Sequence, residues 1–150
     1  MERSVTIKYR IILERLHQCI SACPDPNKRE NPEGWSIKQI VGHLVDSVGN
    51  NHQRLLRYIP HGNFTFPAYD QNTFVSRAQY EKFDFQGLVT LWFLYNQLLL
   101  HIVEHIPREE QQSSTVTIGD SPPLNIEQLI NDYFAHMEKH ERQVLRIINA

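Results

Sequence analysis

The chain has 150 residues, enough for one domain with one core, and a formal net charge of −2. Its basic residues form no cluster, which argues against a nucleic-acid backbone as partner. Hydrophobic residues make up 41% and charged residues 21%, ordinary values for a soluble globular protein. No apolar run approaches the roughly 18 residues that a membrane span requires. Residues 1–150 are therefore read as a single domain with no membrane partner. The N-terminus Met1-Glu2-Arg3-Ser4 leads into mixed polar sequence without an apolar signal core, as in a cytoplasmic protein.

Thr6 to Ala22 carries Ile7, Ile11, Leu13, Leu16 and Ile20 at amphipathic spacing and predicts a first helix. His17 lies there with no partner in the pattern and reads as a surface or boundary residue. Cys19 and Cys23, beside Pro24, read as small buried hydrophobes rather than as a metal or redox pair. Pro24, Pro26, Pro32 and Gly34 then break the chain. Ser36-Ile37-Lys38-Gln39 is a capping-box pattern: the Ser36 hydroxyl can accept from the amide of Gln39, whose side chain can reach back. The second helix that follows has Ile37, Ile40, Val41, Leu44, Val48, Leu55 and Ile59 as its apolar set and ends at Pro60. Gly42 and Gly49 each weaken it by about 1 kcal/mol relative to Ala. That cost implies close approach of another helix.

The stretch from His61 to Phe83 is long for a connection, so it is expected to be functional or partly structured, with a short helical turn near Asp70 to Arg77. Asp84 caps a third helix that runs to Ile106 and stops at Pro107. Its stripe is Leu88, Leu91, Trp92, Tyr95, Leu99, Ile102 and Ile106, widened by Phe93, Leu94, Leu98, Leu100 and Val103. A helix that apolar is expected to be central or to form a subunit interface. Arg108 to Leu124 is polar, with Thr115 to Ile118 as a short strand. Asn125, with Gln128 three residues on, caps a fourth helix whose apolar set is Ile126, Leu129, Ile130, Tyr133, Met137, Val144, Ile147 and Ile148. Four helices of this length predict an all-α four-helix bundle with long connections after helices two and three.

On the fourth helix His136 and His140 are four apart, which puts both imidazoles on one side, one turn apart. His140 falls inside the apolar stripe and His136 on its edge. A core-facing pair at this spacing can chelate one metal ion, and the chelate needs a third ligand from elsewhere. His101 and His105 form a rival pair, but they lie roughly 100° or more from the centre of the third helix's stripe, so they read as surface or interface residues. His52 follows Asn50 and Asn51 and reads as part of a solvated end, and His61 sits in a Gly-containing loop. His43 falls more than about 90° from the centre of its own stripe, beside Ser47 and Asn50. Spacing leaves it either a boundary residue or part of the wall of a small hydrated cavity.

The segment Trp35 to Ser47, containing Gly42-His43-Leu44-Val45-Asp46, resembles the helix-two signature of the DinB/YfiT-like superfamily of metal-dependent hydrolases and thiol transferases. Pro67-Ala68-Tyr69-Asp70-Gln71 resembles that family's Tyr-Asp segment. Tyr133-Phe134-Ala135-His136, followed by His140, resembles its Tyr-x-x-His-x-x-x-His signature. The resemblance implies an antiparallel four-helix bundle, often a homodimer, with a divalent metal held by His43, His136 and His140. It also places Tyr69 and Asp70 at the mouth of a pocket. Gly42 stands where some relatives carry a second histidine, a position that is not a ligand.

Neutral imidazoles suit several transition metals, and zinc or nickel is expected here. Three protein ligands leave coordination positions open, as in catalytic rather than structural sites. Such an ion lowers the pKa of water from 15.7 to about 7, which serves hydrolysis of a small-molecule substrate. The same position could hold the thiolate of a low-molecular-weight thiol cosubstrate for transfer. Asp46 and Glu141 are the weak candidates for a general base or for an acceptor behind a ligand. Glu138, Lys139, Glu141 and Arg142 otherwise read as the solvated face of their helix, and Tyr133 is either core or site. The competing reading is a non-catalytic helical-bundle dimer or interaction module with a vestigial site. DNA binding, suggested only by the family's name, runs against the near-neutral charge.

Overall fold

The computed structural model describes residues 3–150. Four long helices, α1 (Arg3–Ser21), α2 (Ile37–Arg57), α4 (Phe85–Glu104) and α6 (Ile126–Ile148), form the expected bundle. The second connection holds strand β1 (Asn63–Phe66), the short helix α3 (Gln71–Ala78) and a 3-10 turn (Tyr80–Lys82). The third holds α5 (Arg108–Ser113), β2 (Thr115–Ile118) and β3 (Leu124–Asn125). Among the described residues no helix is long and apolar enough to cross a membrane.

Local chemistry explains most boundaries. The Ser36–Gln39 and Asn125–Gln128 capping boxes form as predicted, each satisfying two backbone amides that the helix leaves unpaired. Asp84 caps α4 by accepting from the amide of Gly87, and Asp70 caps α3 by accepting from that of Thr73. The helical turn expected near Asp70 is α3, and the strand expected at Thr115–Ile118 is β2. The long connections hold four elements that sequence periodicity did not show: β1, the 3-10 turn, α5 and β3.

The long helices pack in the cyclic order α1, α4, α2, α6, so α1 and α2 face each other diagonally. Helix directions follow from side-chain pairs. Arg10 pairs with Glu104 and His17 stacks on Phe93, so α1 and α4 are antiparallel. His52 meets Tyr95 while Leu55 and Leu56 border Ile102 and His105, so α2 and α4 run the same way. This parallel pair departs from the fully antiparallel bundle that the family resemblance implies; it demands a long return of the chain, which residues 58–84 supply. β1 from this return pairs in parallel with β2, and β2 pairs antiparallel with β3. This small sheet ties the two long connections together at one end of the bundle.

The core is filled by Trp92, Phe134, Leu13, Leu16, Ile20, Ile37, Ile40, Leu88 and Leu99 among others. Two predicted faces are displaced. On α1, Ile7 and Ile11 are exposed, and Tyr9 and Ile12 are buried with Leu13, Leu16 and Ile20. On α4, Leu91 is exposed and the buried arc runs through Val89, Asn96, Leu100 and Val103. α4 is apolar nearly all round, and its buried arc is chosen by contacts with α1 and α2 that periodicity cannot see. Cys19 and Cys23 are half-buried free thiols whose pKa values burial raises, which fits inert packing.

The approach to Gly42 comes from the 3-10 turn rather than from a helix. The Tyr80 ring lies over Gly42, and a methyl built there would come within 2.7 Å of three ring carbons. The Tyr80 hydroxyl donates to Asp46 Oδ1 at 2.5 Å, one turn along α2. Gly49 meets nothing comparable, its nearest neighbour being the Tyr95 hydroxyl at 4.0 Å.

Candidate metal centre

The capping box at Ser36 fixes the start and angle of α2, so that His43 points inward two turns later. His43 is 1% exposed and leans against the Trp35 ring at a centroid distance of 4.9 Å. It is therefore buried rather than a boundary residue: its side of α2 faces α6. His136 and His140 reach it from that helix, with His140 buried and His136 half-buried.

The ε nitrogens converge. His136 Nε2 lies 3.3 Å from His43 Nε2 and 3.1 Å from His140 Nε2. One donor nitrogen from each ring lies within 4.8 Å of the other two. At metal–nitrogen distances of 2.0–2.1 Å, neighbouring ligands are about 3.3–3.4 Å apart in a tetrahedral site and about 2.9 Å apart in an octahedral one. The two short separations fall between these values, so the rings stand at ligand spacing.

The protonation states suit the same role. Burial first, and then the neighbouring imidazoles, push His43 down to about 3. The same causes push His136 down to about 4. Burial also lowers His140, against the raising effect of its hydrogen bond to Gln143. All three rings are neutral at neutral pH, with lone pairs free for an ion. In His140 the Nδ1–H donates to Gln143 Oε1 at 2.8 Å, which leaves Nε2 as the bare nitrogen facing the cluster. Nδ1 of His43 is buried with no partner. The donor set of three imidazole nitrogens fits a divalent transition metal.

The cluster opens on a cavity of about 310 Å³. One wall is α2, through His43, Ser47, Asn51 and Arg54, and the facing wall is α6, through Leu129, Asp132, Tyr133 and His136. Tyr69 and Gln71 of the second connection, with Ile118 of β2 and Leu124 of β3, close the end. Tyr69 thus borders the cavity as the family resemblance implies, whereas Asp70 is an exposed helix cap outside it. Tyr133 is both core and site: it lines the cavity and donates to the buried Asn96 Oδ1.

The two weak acid–base candidates have structural partners. Asp46 is off the cavity wall and accepts from Tyr80, with its Oδ2 unpaired and its pKa raised by burial. Glu141 is buried rather than solvated, and both its oxygens accept from Arg15, at 2.6 and 2.7 Å. The remaining histidines stay apart from the centre. His52 bonds the Tyr95 hydroxyl at 2.9 Å, His61 is an exposed loop residue at positive φ, and the rings of His101 and His105 meet at a tilt on the surface.

Sequence reasoning missed Arg54. It is 7% exposed, its Nε has no partner, and its Nη1 is a long 3.5 Å from Asn51 Oδ1. The signal was present in the spacing: positions 43, 47, 51 and 54 advance by four, four and three and share one helix face.

No protein-family model matches the sequence, and no curated protein matches it. Among solved structures the chain is similar to YfiT from Bacillus subtilis, a probable metal-dependent hydrolase with an unusual four-helix bundle topology. The TM-score is 0.79 at 16% identity, covering 98% of this chain and 87% of that one. A likeness at that identity speaks for the fold. The chain therefore has the four-helix bundle fold of YfiT, as its sequence motifs imply, with three histidines converging on a cavity between α2 and α6.

Proposed function

We propose that this protein is a metal-dependent hydrolase of a small molecule, with zinc or nickel held by His43, His136 and His140. The observation that carries the reading is the convergence of three neutral imidazoles, Nε2 inward, at the wall of an open cavity. A divalent ion in such a site supplies Lewis acidity and activates water at neutral pH. The chain does the rest. Gln143 holds His140 in the ligating tautomer. Trp35 and burial keep His43 neutral and in place. Tyr69 and Tyr133 shape the space where a substrate would sit, and its volume suits a small molecule rather than a polymer. Asp46, turned aside to Tyr80, is given no catalytic role.

The test is metal analysis of protein purified without a histidine tag, followed by hydrolysis assays on a panel of small esters, amides and phosphoesters. About one transition metal per chain is expected, lost in His43→Ala and His140→Ala, with turnover abolished by a chelator and restored by zinc or nickel. A chain that takes up no ion overturns the reading. Consumption of a low-molecular-weight thiol by the metal-loaded protein would move the chemistry from hydrolysis to thiol transfer. The exposed Leu91, Leu94 and Leu98 on α4 support the homodimer that the family resemblance implies, and sedimentation analysis tests it.

A further inference from the structure

Beyond the neutral histidine cluster, the cavity has a charged feature at its far end. Arg54 lines the same wall as His43, yet it has almost no solvent contact. A buried guanidinium is ordinarily paired with a carboxylate, because the charge leaves water at a high cost. Among the described residues no carboxylate lies within ion-pair distance of Arg54, whereas the exposed Arg10 and Arg15 both have one. Its one side-chain hydrogen bond is the long contact to Asn51, and Nε is unsatisfied. The Phe66 ring, 5.3 Å from the guanidinium carbon, supports the group from one side without neutralising it. Burial lowers its pKa, but an arginine remains protonated at any physiological pH. The charge is therefore real, desolvated and directed into a cavity.

Asn51 is placed to aim it. Its amide donates to the Ser47 carbonyl at 2.9 Å, which fixes the side chain and turns Oδ1 toward Arg54. The guanidinium is thus drawn back along α2 toward the level of Asn51, eight residues beyond His43. At a helical rise of 1.5 Å per residue the two levels are about 12 Å apart.

We propose that Arg54 binds a carboxylate of the substrate, so that the molecule lies along α2 with its anionic end at Arg54 and its reacting bond at the histidine cluster. The planar guanidinium fork matches a carboxylate through two parallel N–H···O bonds. Among the described residues Arg54 is the only cationic side chain lining the cavity, and Asp132 stands on the opposite wall. That balance favours a singly charged carboxylate over a doubly charged phosphate. The spacing selects small acids whose carboxylate and scissile group are on the order of 10 Å apart. This assignment rests on the metal-centre reading for the reacting end alone, and the anion site is testable without turnover.

The experiment is calorimetric titration of the zinc-loaded and the chelated protein with azelate, a dicarboxylate long enough for that span, with its monomethyl ester and with inorganic phosphate. The proteins are the wild type, Arg54→Met, Arg54→Lys and His43→Ala. Azelate and its monoester are expected to bind the wild type with and without zinc, and to bind the chelated protein more tightly than phosphate does. Arg54→Met should lose at least tenfold in carboxylate affinity while taking up zinc normally, and Arg54→Lys should fall between. The methionine variant should be no less stable to urea than the wild type, because an uncompensated buried charge is removed; marked destabilisation would identify a structural arginine and overturn the proposal. Carboxylate binding that ignores the Arg54 substitutions, or tighter binding of phosphate, also overturns it. His43→Ala that loses zinc but keeps azelate separates the two sites, so the metal-centre reading can fail while this one stands.

Discussion

Substituting Gly42 by Ala sets two effects of opposite sign against each other. Ala is the better helix former, and in an open helix interior the change would stabilise by about 1 kcal/mol. Here the added methyl would come within 2.7 Å of three carbons of the Tyr80 ring, where one of the clashing atoms is the ring's point of attachment rather than its tip. Tyr80 must move, at an overpacking cost of about 1–3 kcal/mol. The move also strains or breaks its hydrogen bond to Asp46, and bonds to charged groups are worth about 1.5–3 kcal/mol. With the bond broken the net expectation is destabilisation by about 1.5–5 kcal/mol, read as a lower urea midpoint with an unchanged slope. In a Tyr80→Ala background the clash is gone, and the same substitution should turn neutral or stabilising by up to about 1 kcal/mol, a coupling that the double-mutant cycle isolates. A Gly42→Ala protein as stable as the wild type would refute this account of why glycine stands in the middle of α2.

Three further outcomes follow from the site and its supports. Without metal, stability should be flat above about pH 7 and fall as the pH drops below 6.5. There the unfolded chain takes up protons that His43 and His136, held at about 3 and about 4, refuse. Each pH unit of that gap is worth at most about 1.4 kcal/mol per ring, so the urea midpoint should fall measurably between pH 7 and pH 5. The fall should be shallower in His43→Asn, and a flat profile would refute the burial of neutral rings. Gln143→Leu should weaken zinc or nickel affinity by about tenfold or more, read by competition with a chromophoric chelator, because His140 loses the acceptor that fixes its tautomer. Arg15→Met should destabilise by about 1–3 kcal/mol in urea unfolding and exceed Glu141→Gln. The first leaves a buried carboxylate unpaired, whereas the second leaves a half-exposed arginine that water can serve.

The bundle was legible because its boundaries are local chemistry. Ser36 with Gln39 and Asn125 with Gln128 each specify a helix start within four residues, and Pro60 and Pro107 forbid continuation. The sheet was only half legible: β2 shows in Thr115 to Ile118, but β1 exists because it pairs with β2 fifty-two positions away, as in Asn63 with Thr115. Glu141 failed as a surface residue for the same reason. Its partner, Arg15, is 126 positions earlier, and nothing near Glu141 announces the pair.

The histidine centre shows what the apolar stripe of a helix leaves out. α2 buries two arcs. One is the Ile40, Leu44, Val48 and Leu55 face that fills the core, and a hydrophobic stripe finds it directly. The other is His43, Ser47, Asn51 and Arg54, all buried and all polar, and the same method reports it as solvent-facing. Burial of polar residues has to be compensated by partners, and partners at helical spacing are what a site consists of. Ser47, Asn51 and Arg54 are linked along the helix by hydrogen bonds from Asn51 to the Ser47 carbonyl and from Arg54 to Asn51. That ladder leads from the histidine cluster to the unpaired guanidinium. A polar arc that keeps the helical period beside a capped helix start, and that contains a histidine, thus points to an internal cavity, although its composition alone would place it on the surface.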